Sequence, residues 1–260
     1  MKTKIILSSI FCLVIVPSFF FAANEPPDLE KDIKLFEAKQ YAEAKAIFEN
    51  LAKKHQRNAS ISYYLGMSYI AMREYKKAIN SLEEAINLDG EQADYHYALG
   101  IACKYYLSKV GTLKKIGVGK KCKKAFIKAI DLDEKHMEAR INIINMYLGL
   151  PVFLVGSLEE AEKHVQILKQ QYPDMTFSVE GRLAAKKKNY KEADKLYRQA
   201  VKDNRNPINV YELACWLRQS KQFDEAITLF NEYLTMDLSW SDFGKGAIDY
   251  NLKLIEEKRN

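Results

Sequence analysis

From about residue 25 onward, apolar and polar positions alternate with helical spacing. Ala78, Leu82 and Ala85 lie four and three residues apart, which gathers them on one face of a helix. Just upstream, Leu65, Gly66 and Tyr69 gather a large, a small and an aromatic residue on a preceding helix. The pattern then recurs. Tyr41 and Tyr75 are 34 residues apart, as are Ala44 and Ala78, Phe48 and Leu82, Leu65 and Leu99, and Gly66 and Gly100. Further on, Tyr190 and Phe223, Ala193 and Ala226, and Tyr197 and Phe230 are each 33 apart. Several independent columns sharing one period predict a chain built of repeated helix pairs.

Within each pair the residue sizes have a mechanical reading. Small residues facing each other let two antiparallel helices approach closely, and large ones fill the flanking gaps. The same layout appears with Leu99, Gly100, Cys122, Phe126 and Ala129, with Gly181, Ala193, Tyr197 and Ala200, and with Leu213, Ala214, Leu217, Ala226 and Phe230. In these residues the chain resembles the tetratricopeptide repeat (TPR) family over roughly 25–260. The resemblance implies an all-α fold, a right-handed superhelical solenoid of helix-turn-helix repeats with a concave groove. The units fall at about 25–58, 59–92, 93–136, 137–173, 174–206 and 207–240, with a capping helix at about 243–258. In the first unit Lys31 and Asp32 replace Leu and Gly, as suits a terminal repeat with one face to water.

Two units exceed the period. Ala85 to Ala129 spans 44 residues, with the excess around Leu107–Gly119, and the fourth unit has about five extra residues near Leu150–Ser157. Both insertions fall between the two helices of their unit, so one edge of the solenoid should carry both. Residues 104–128 hold nine lysines and no acid. The formal charge of +6 would become −3 without them. Lys109, Lys114, Lys115, Lys120, Lys121, Lys123 and Lys124 form a candidate basic edge beside an apolar run, Leu150–Val155. Together they offer a docking surface for an anionic membrane or other polyanion. The plainer reading is a solvated helix with a loop folded onto the core.

Projecting first-helix positions not used in packing gives a candidate partner groove of Tyr63, Met67, Tyr97, Ile101, Asn142, Asn145, Arg182, Tyr211 and Arg218. Tyrosine and arginine often anchor interfaces, so a protein or peptide partner is expected. The TPR resemblance also implies a Lys and Asn clamp for a terminal carboxylate in the first units. Leu29, Ile33, Tyr63 and Met67 stand at those positions, so that clamp is not expected here.

The first 23 residues differ from the rest. Lys2 and Lys4 precede an apolar run from Ile5 to Ala23, the layout of a signal peptide or an uncleaved N-terminal anchor, with residues 24–260 forming the solenoid. Both readings predict export, to a bacterial periplasm by the style of the leader. Cys12 lacks the small neighbours that lipid attachment requires. Four scattered histidines with no HExxH and no paired Cys–His spacing predict no metal site. Gly111, Gly117 and Gly119 near Lys120 are misspaced for a phosphate loop, and no nucleophile stands in a triad context. The sequence therefore predicts a non-enzymatic protein without a cofactor. Cys103 and Cys122 both face inward in the third unit, which leaves open either a disulfide in an oxidising compartment or two small buried thiols. Export and the scarcity of stacking aromatics in the lysine run argue against nucleic acid.

Overall fold

The computed structural model describes residues 29–152, 156–236 and 245–259. The N-terminal leader, the end of the 150–155 run and the segment before the last helix lie outside them. Six helix pairs follow one another: α1 (Glu30–Glu37) with α2 (Tyr41–Lys54), α3 (Ala59–Ala71) with α4 (Tyr75–Leu88), and α5 (Ala93–Leu107) with α6 (Thr112–Leu132). Next come α7 (Met137–Gly149) with α8 (Leu158–Gln171), α9 (Phe177–Lys186) with α10 (Tyr190–Asp203), and α11 (Pro207–Gln219) with α12 (Phe223–Thr235). The last helix is α13 (Lys245–Arg259). Among the described residues there is no strand. The architecture is an α-solenoid in which each pair packs on its neighbours.

The two helices of a pair meet where size alternates. The second helices bury a small residue and, one turn later, a large one: Ala44 and Phe48, Ala78 and Leu82, Cys122 and Phe126, Ala161 and Val165, Ala193 and Tyr197, Ala226 and Phe230. Three of the first helices, α3, α5 and α9, answer with glycine. A Cβ added at Gly66 would lie 2.6 Å from Leu82, and one at Gly100 would lie 2.5 Å from the Phe126 ring. At Gly181 the same atom would meet the Tyr197 ring at 3.2 Å. Two apolar clusters built this way meet in α9, where Leu183 belongs to the first and Ala184 to the second.

The turn between paired helices is also periodic. Lys39, Arg73, Lys188 and Lys221 adopt left-handed backbone, with φ of 61°, 60°, 61° and 65°. Each sits just past its first helix. The amide of the next residue reaches back to a carbonyl five residues earlier: Gln40 to Leu35, Glu74 to Tyr69, Asn189 to Ala184 and Gln222 to Leu217. This closes orphan carbonyls in the manner of a Schellman cap, with a basic residue where glycine is the usual choice. The third and fourth pairs, which carry the insertions, lack it. In the third, α5 ends at Leu107 and α6 runs for 21 residues, against 13 or 14 for the other second helices. The extra sequence is thus mostly two added helical turns. In the fourth, the Gly156 amide donates to the Pro151 carbonyl at 3.0 Å and that of Ser157 to Tyr147 at 3.1 Å, closing the loop.

Polar side chains finish the helix starts. Asn58, Ser157, Asn189 and Asn206 cap α3, α8, α10 and α11 through side-chain oxygens. His136 caps α7 through Nδ1, with its ring buried against Tyr97. His164 lies half-buried between Tyr147 and Arg140. Burial and the Arg140 charge hold its pKa below the ordinary histidine value. Among the described residues, no group of three or more His, Cys, Asp or Glu could hold a metal ion.

The disulfide left open by the sequence is not formed. Cys103 and Cys122 are buried free thiols, and the Cys122 thiol points to the Gly100 carbonyl at 3.2 Å and to Met146 Sδ at 3.3 Å. Burial pushes the Cys103 thiol up to about 12 and raises Cys122 as well, so neither is a ready thiolate.

The glycine contacts rank by space. Gly100→Ala forces a methyl into the fully buried Phe126 ring and lowers unfolding stability by about 1–3 kcal/mol. Gly181→Ala asks Tyr197 to yield only a few tenths of an ångström, and the helix preference of Ala over Gly, about 1 kcal/mol, offsets that. Urea denaturation of the two variants should show a clear loss for the first and near-neutrality for the second. Equal effects would refute the close-approach account.

Candidate groove site

The first helices of successive repeats share one face, and there the central repeats leave two adjoining cavities. One, of about 640 Å3, is lined from α5 by Lys104 and Tyr105, and from α7 by Asn145, Leu148 and Gly149. From the C-terminal side α9 adds Arg182, Ala185 and Lys186, with Tyr197 and Gln219 closing it. The other, of about 570 Å3, shares Lys104, Asn145 and Gly149 and extends to Leu107, Lys115, Asn142, Met146, Leu150 and Pro151. Lys115 and Pro151 come from the two insertions, so these do meet at one edge. Neither lining contains a carboxylate.

Two of the cations, Lys104 and Arg182, are held by neighbours. Lys104 Nζ donates to Asn142 Oδ1 at 3.1 Å and lies 5.4 Å from the Tyr105 ring centre. Arg182 Nη1 pairs with Glu212 on α11 at 2.9 Å, and burial raises the Glu212 carboxyl above its ordinary range. Several buried polar atoms nearby have no protein partner: Asn145 Oδ1, Arg182 Nε, Glu212 Oε2 and Arg218 Nε.

The sequence-derived groove residues divide. Asn142, Asn145 and Arg182 line the cavities. Arg218 is half-buried on α11, outside both linings. The three tyrosines expected as anchors are instead packing elements. Tyr63 stacks on Tyr95 with ring centres 4.7 Å apart and touches Tyr64 edge-on. Tyr97 fits between Phe126 and His136, and Tyr211 between Phe230 and Tyr233 with its hydroxyl near Asn251. Met67 and Ile101 are half-buried against the same core. The physical reason is shape. Narrow first helices with glycine leave gaps between repeats, and tyrosine fills them while keeping its hydroxyl near polar groups. Lys104 and Lys186 line the groove without standing among the residues projected from the sequence. Helical spacing contained the signal: Lys104 follows Tyr97 and Ile101 by seven and three residues, and Lys186 follows Arg182 by four.

The basic edge also divides. Lys109 lies with Arg73, Tyr75 and Lys77 at the α3–α4 turn, Lys115 faces the groove, and Lys123 sits over the Tyr147 ring at 5.1 Å. Lys120, Lys121 and Lys124 flank a different groove between α4 and α6, and Lys114 is exposed. A run of lysines on a helix wraps around it, so no single edge collects them all. Of the apolar run, Leu150 packs on the core while Pro151 and Val152 are exposed; 153–155 lie outside the described residues.

Comparison with known proteins agrees with this geometry. Profiles of the tetratricopeptide repeat match residues 35–100 and 179–242. The chain belongs to the tetratricopeptide repeat family. The TPR repeat-containing protein MJ1428 of Methanocaldococcus jannaschii is 26% identical over 82% of this chain and 43% of its own length. The chain thus spans less than half of that relative. A TPR protein from Parabacteroides merdae superposes with a TM-score of 0.68 at 15% identity, covering 86% of this chain and 81% of that one. YrrB, described as a TPR protein with an unusual peptide-binding site, superposes with a TM-score of 0.53 at 21% identity over 73% of this chain and 88% of its own. These likenesses establish the fold.

Proposed function

We propose that the chain is an exported TPR scaffold that holds an acidic, partly apolar segment of a partner protein in the groove of its central repeats. One observation carries this reading: the paired cavities across α5, α7, α9 and α11 offer Lys104, Lys115, Arg182 and Lys186 and no lining carboxylate. Leu107, Met146, Leu148, Leu150 and Pro151 supply apolar surface between the charges. A segment of alternating acidic and apolar side chains complements both features. The peptide-binding site named for YrrB is in keeping with the reading. An exported setting rests on the basic start and apolar run of residues 1–23. There the scaffold would organise an envelope assembly.

Peptides selected by random display on the full chain should be rich in Asp and Glu interspersed with Leu, Phe or Met. Lys104→Gln with Lys186→Gln should weaken the best of them at least tenfold, about 1.4 kcal/mol, by calorimetry. Arg182 is spared in this variant, because its loss would leave Glu212 buried without its cation. Selection of basic peptides, or unchanged affinity in the double variant, would remove the groove from the account. For export, fusing the leader to alkaline phosphatase in a bacterium should give periplasmic activity, and an inactive fusion would refute it.

A further inference from the structure

A second cationic feature lies away from the groove and has no role in the function proposed above. The outer flank of α6 carries Leu113, Gly117, Lys121, Lys124 and Lys128 at spacings of four, four, three and four, so they form one line along the helix. Lys114 and Lys120 border it. From Thr112 to Ile130 the helix has no acid. Where the line meets α4 it bounds a cavity of about 560 Å3, with Lys120, Lys121, Lys124 and Lys128 around a floor of Ile86, Leu99 and Ala125. The one carboxylate in the lining is Glu83, which pairs with Lys121 at 2.5 Å.

The two extra turns of α6 project this line beyond the period of the solenoid, with one apolar side chain, Leu113, at the tip. Leu113 is 89% exposed, and nothing lies within 4 Å of a Cβ placed at Gly117. An exposed leucine on the same line as three lysines, with two more beside it, has the pattern of a helix that lies in a membrane interface. The lysines would be drawn to anionic headgroups, while the leucine gains only from acyl chains. A soluble polyanion would use the lysines and leave Leu113 in water. No helix among the described residues is long and apolar enough to cross a membrane, so the contact considered is a surface one.

We infer that the outer face of α6 docks on an anionic lipid bilayer, with Leu113 entering the interface and Lys114, Lys120, Lys124 and Lys128 engaging the headgroups. The inference stands independently of the groove.

A dye that reports polarity, attached at Gly117→Cys in the full chain, tests it locally. Cys12 and Cys215 are replaced by Ser, and the buried Cys103 and Cys122 are left in place. The probes are vesicles of phosphatidylglycerol mixed one to three with phosphatidylcholine, phosphatidylcholine vesicles, and inorganic polyphosphate. The expected result is a blue-shifted, brighter emission with the anionic vesicles only. Replacing the four lysines by Gln should raise the vesicle concentration at half-effect more than tenfold, and Leu113→Ser should raise it severalfold. All five side chains are outside the core, so circular dichroism should be unchanged. The proposal is overturned by an unchanged dye signal while the chain sediments with anionic vesicles, since attachment then lies elsewhere. It is equally overturned by the same signal with neutral vesicles. A full response to polyphosphate with no effect of Leu113→Ser would assign the face to a soluble polyanion instead.

Discussion

Three of the six described helix pairs depend on one close approach, a missing side chain on the first helix opposite a large one on the second. Gly66 admits Leu82, Gly100 admits Phe126 and Gly181 admits the Tyr197 ring. The contact sets how tightly a pair closes, and with it how the next pair stacks, because no single pair can bury its apolar face alone. The first helices are thereby brought side by side. Lys104, Asn145 and Arg182, more than 70 residues apart in sequence from end to end, then open into one cavity.

The same arithmetic explains where charge accumulates. The central repeats broke the regular turn, in which Lys39, Arg73, Lys188 and Lys221 take left-handed backbone, and replaced it with an extended α6 and a longer loop before α8. Both changes fall at the same end of adjacent repeats and bring Lys115 and Pro151 to the groove mouth. The lysines of the lengthened helix then divide by helical angle, Lys115 inward to the groove and Lys120, Lys121, Lys124 and Lys128 outward to α4. One stretch of sequence thus supplies two cationic surfaces on opposite sides of one helix.

The fold was legible because its determinants are periodic. Ala44, Phe48, Ala78, Leu82, Ala193, Tyr197, Ala226 and Phe230 are all buried where the 33- to 34-residue columns put them. The site was less legible because residue type alone does not say whether a side chain fills a gap or faces a ligand. Tyr63, Tyr97 and Tyr211 have the chemistry of interface anchors, yet the spaces left by narrow helices absorbed them. Asn142, Asn145 and Arg182 were found by projecting the helical spacing, and carrying that projection one more turn reaches Lys104 and Lys186. The wrapping of the lysine run around α6 was equally contained in the spacing. The basic residues at positive φ were not, since glycine is the residue that usually marks such turns.

The central claim is that the groove of the middle repeats is where a partner segment binds. Amide hydrogen exchange on the full chain, with and without the tightest display-selected acidic peptide, tests it most directly. The account predicts slowed exchange on binding at the groove-lining ends of α5, α7 and α9, around 104–107, 145–149 and 182–186, with the outer flank of α6 unchanged. Protection confined to α1–α4, or appearing on the outer flank of α6 instead, would contradict it.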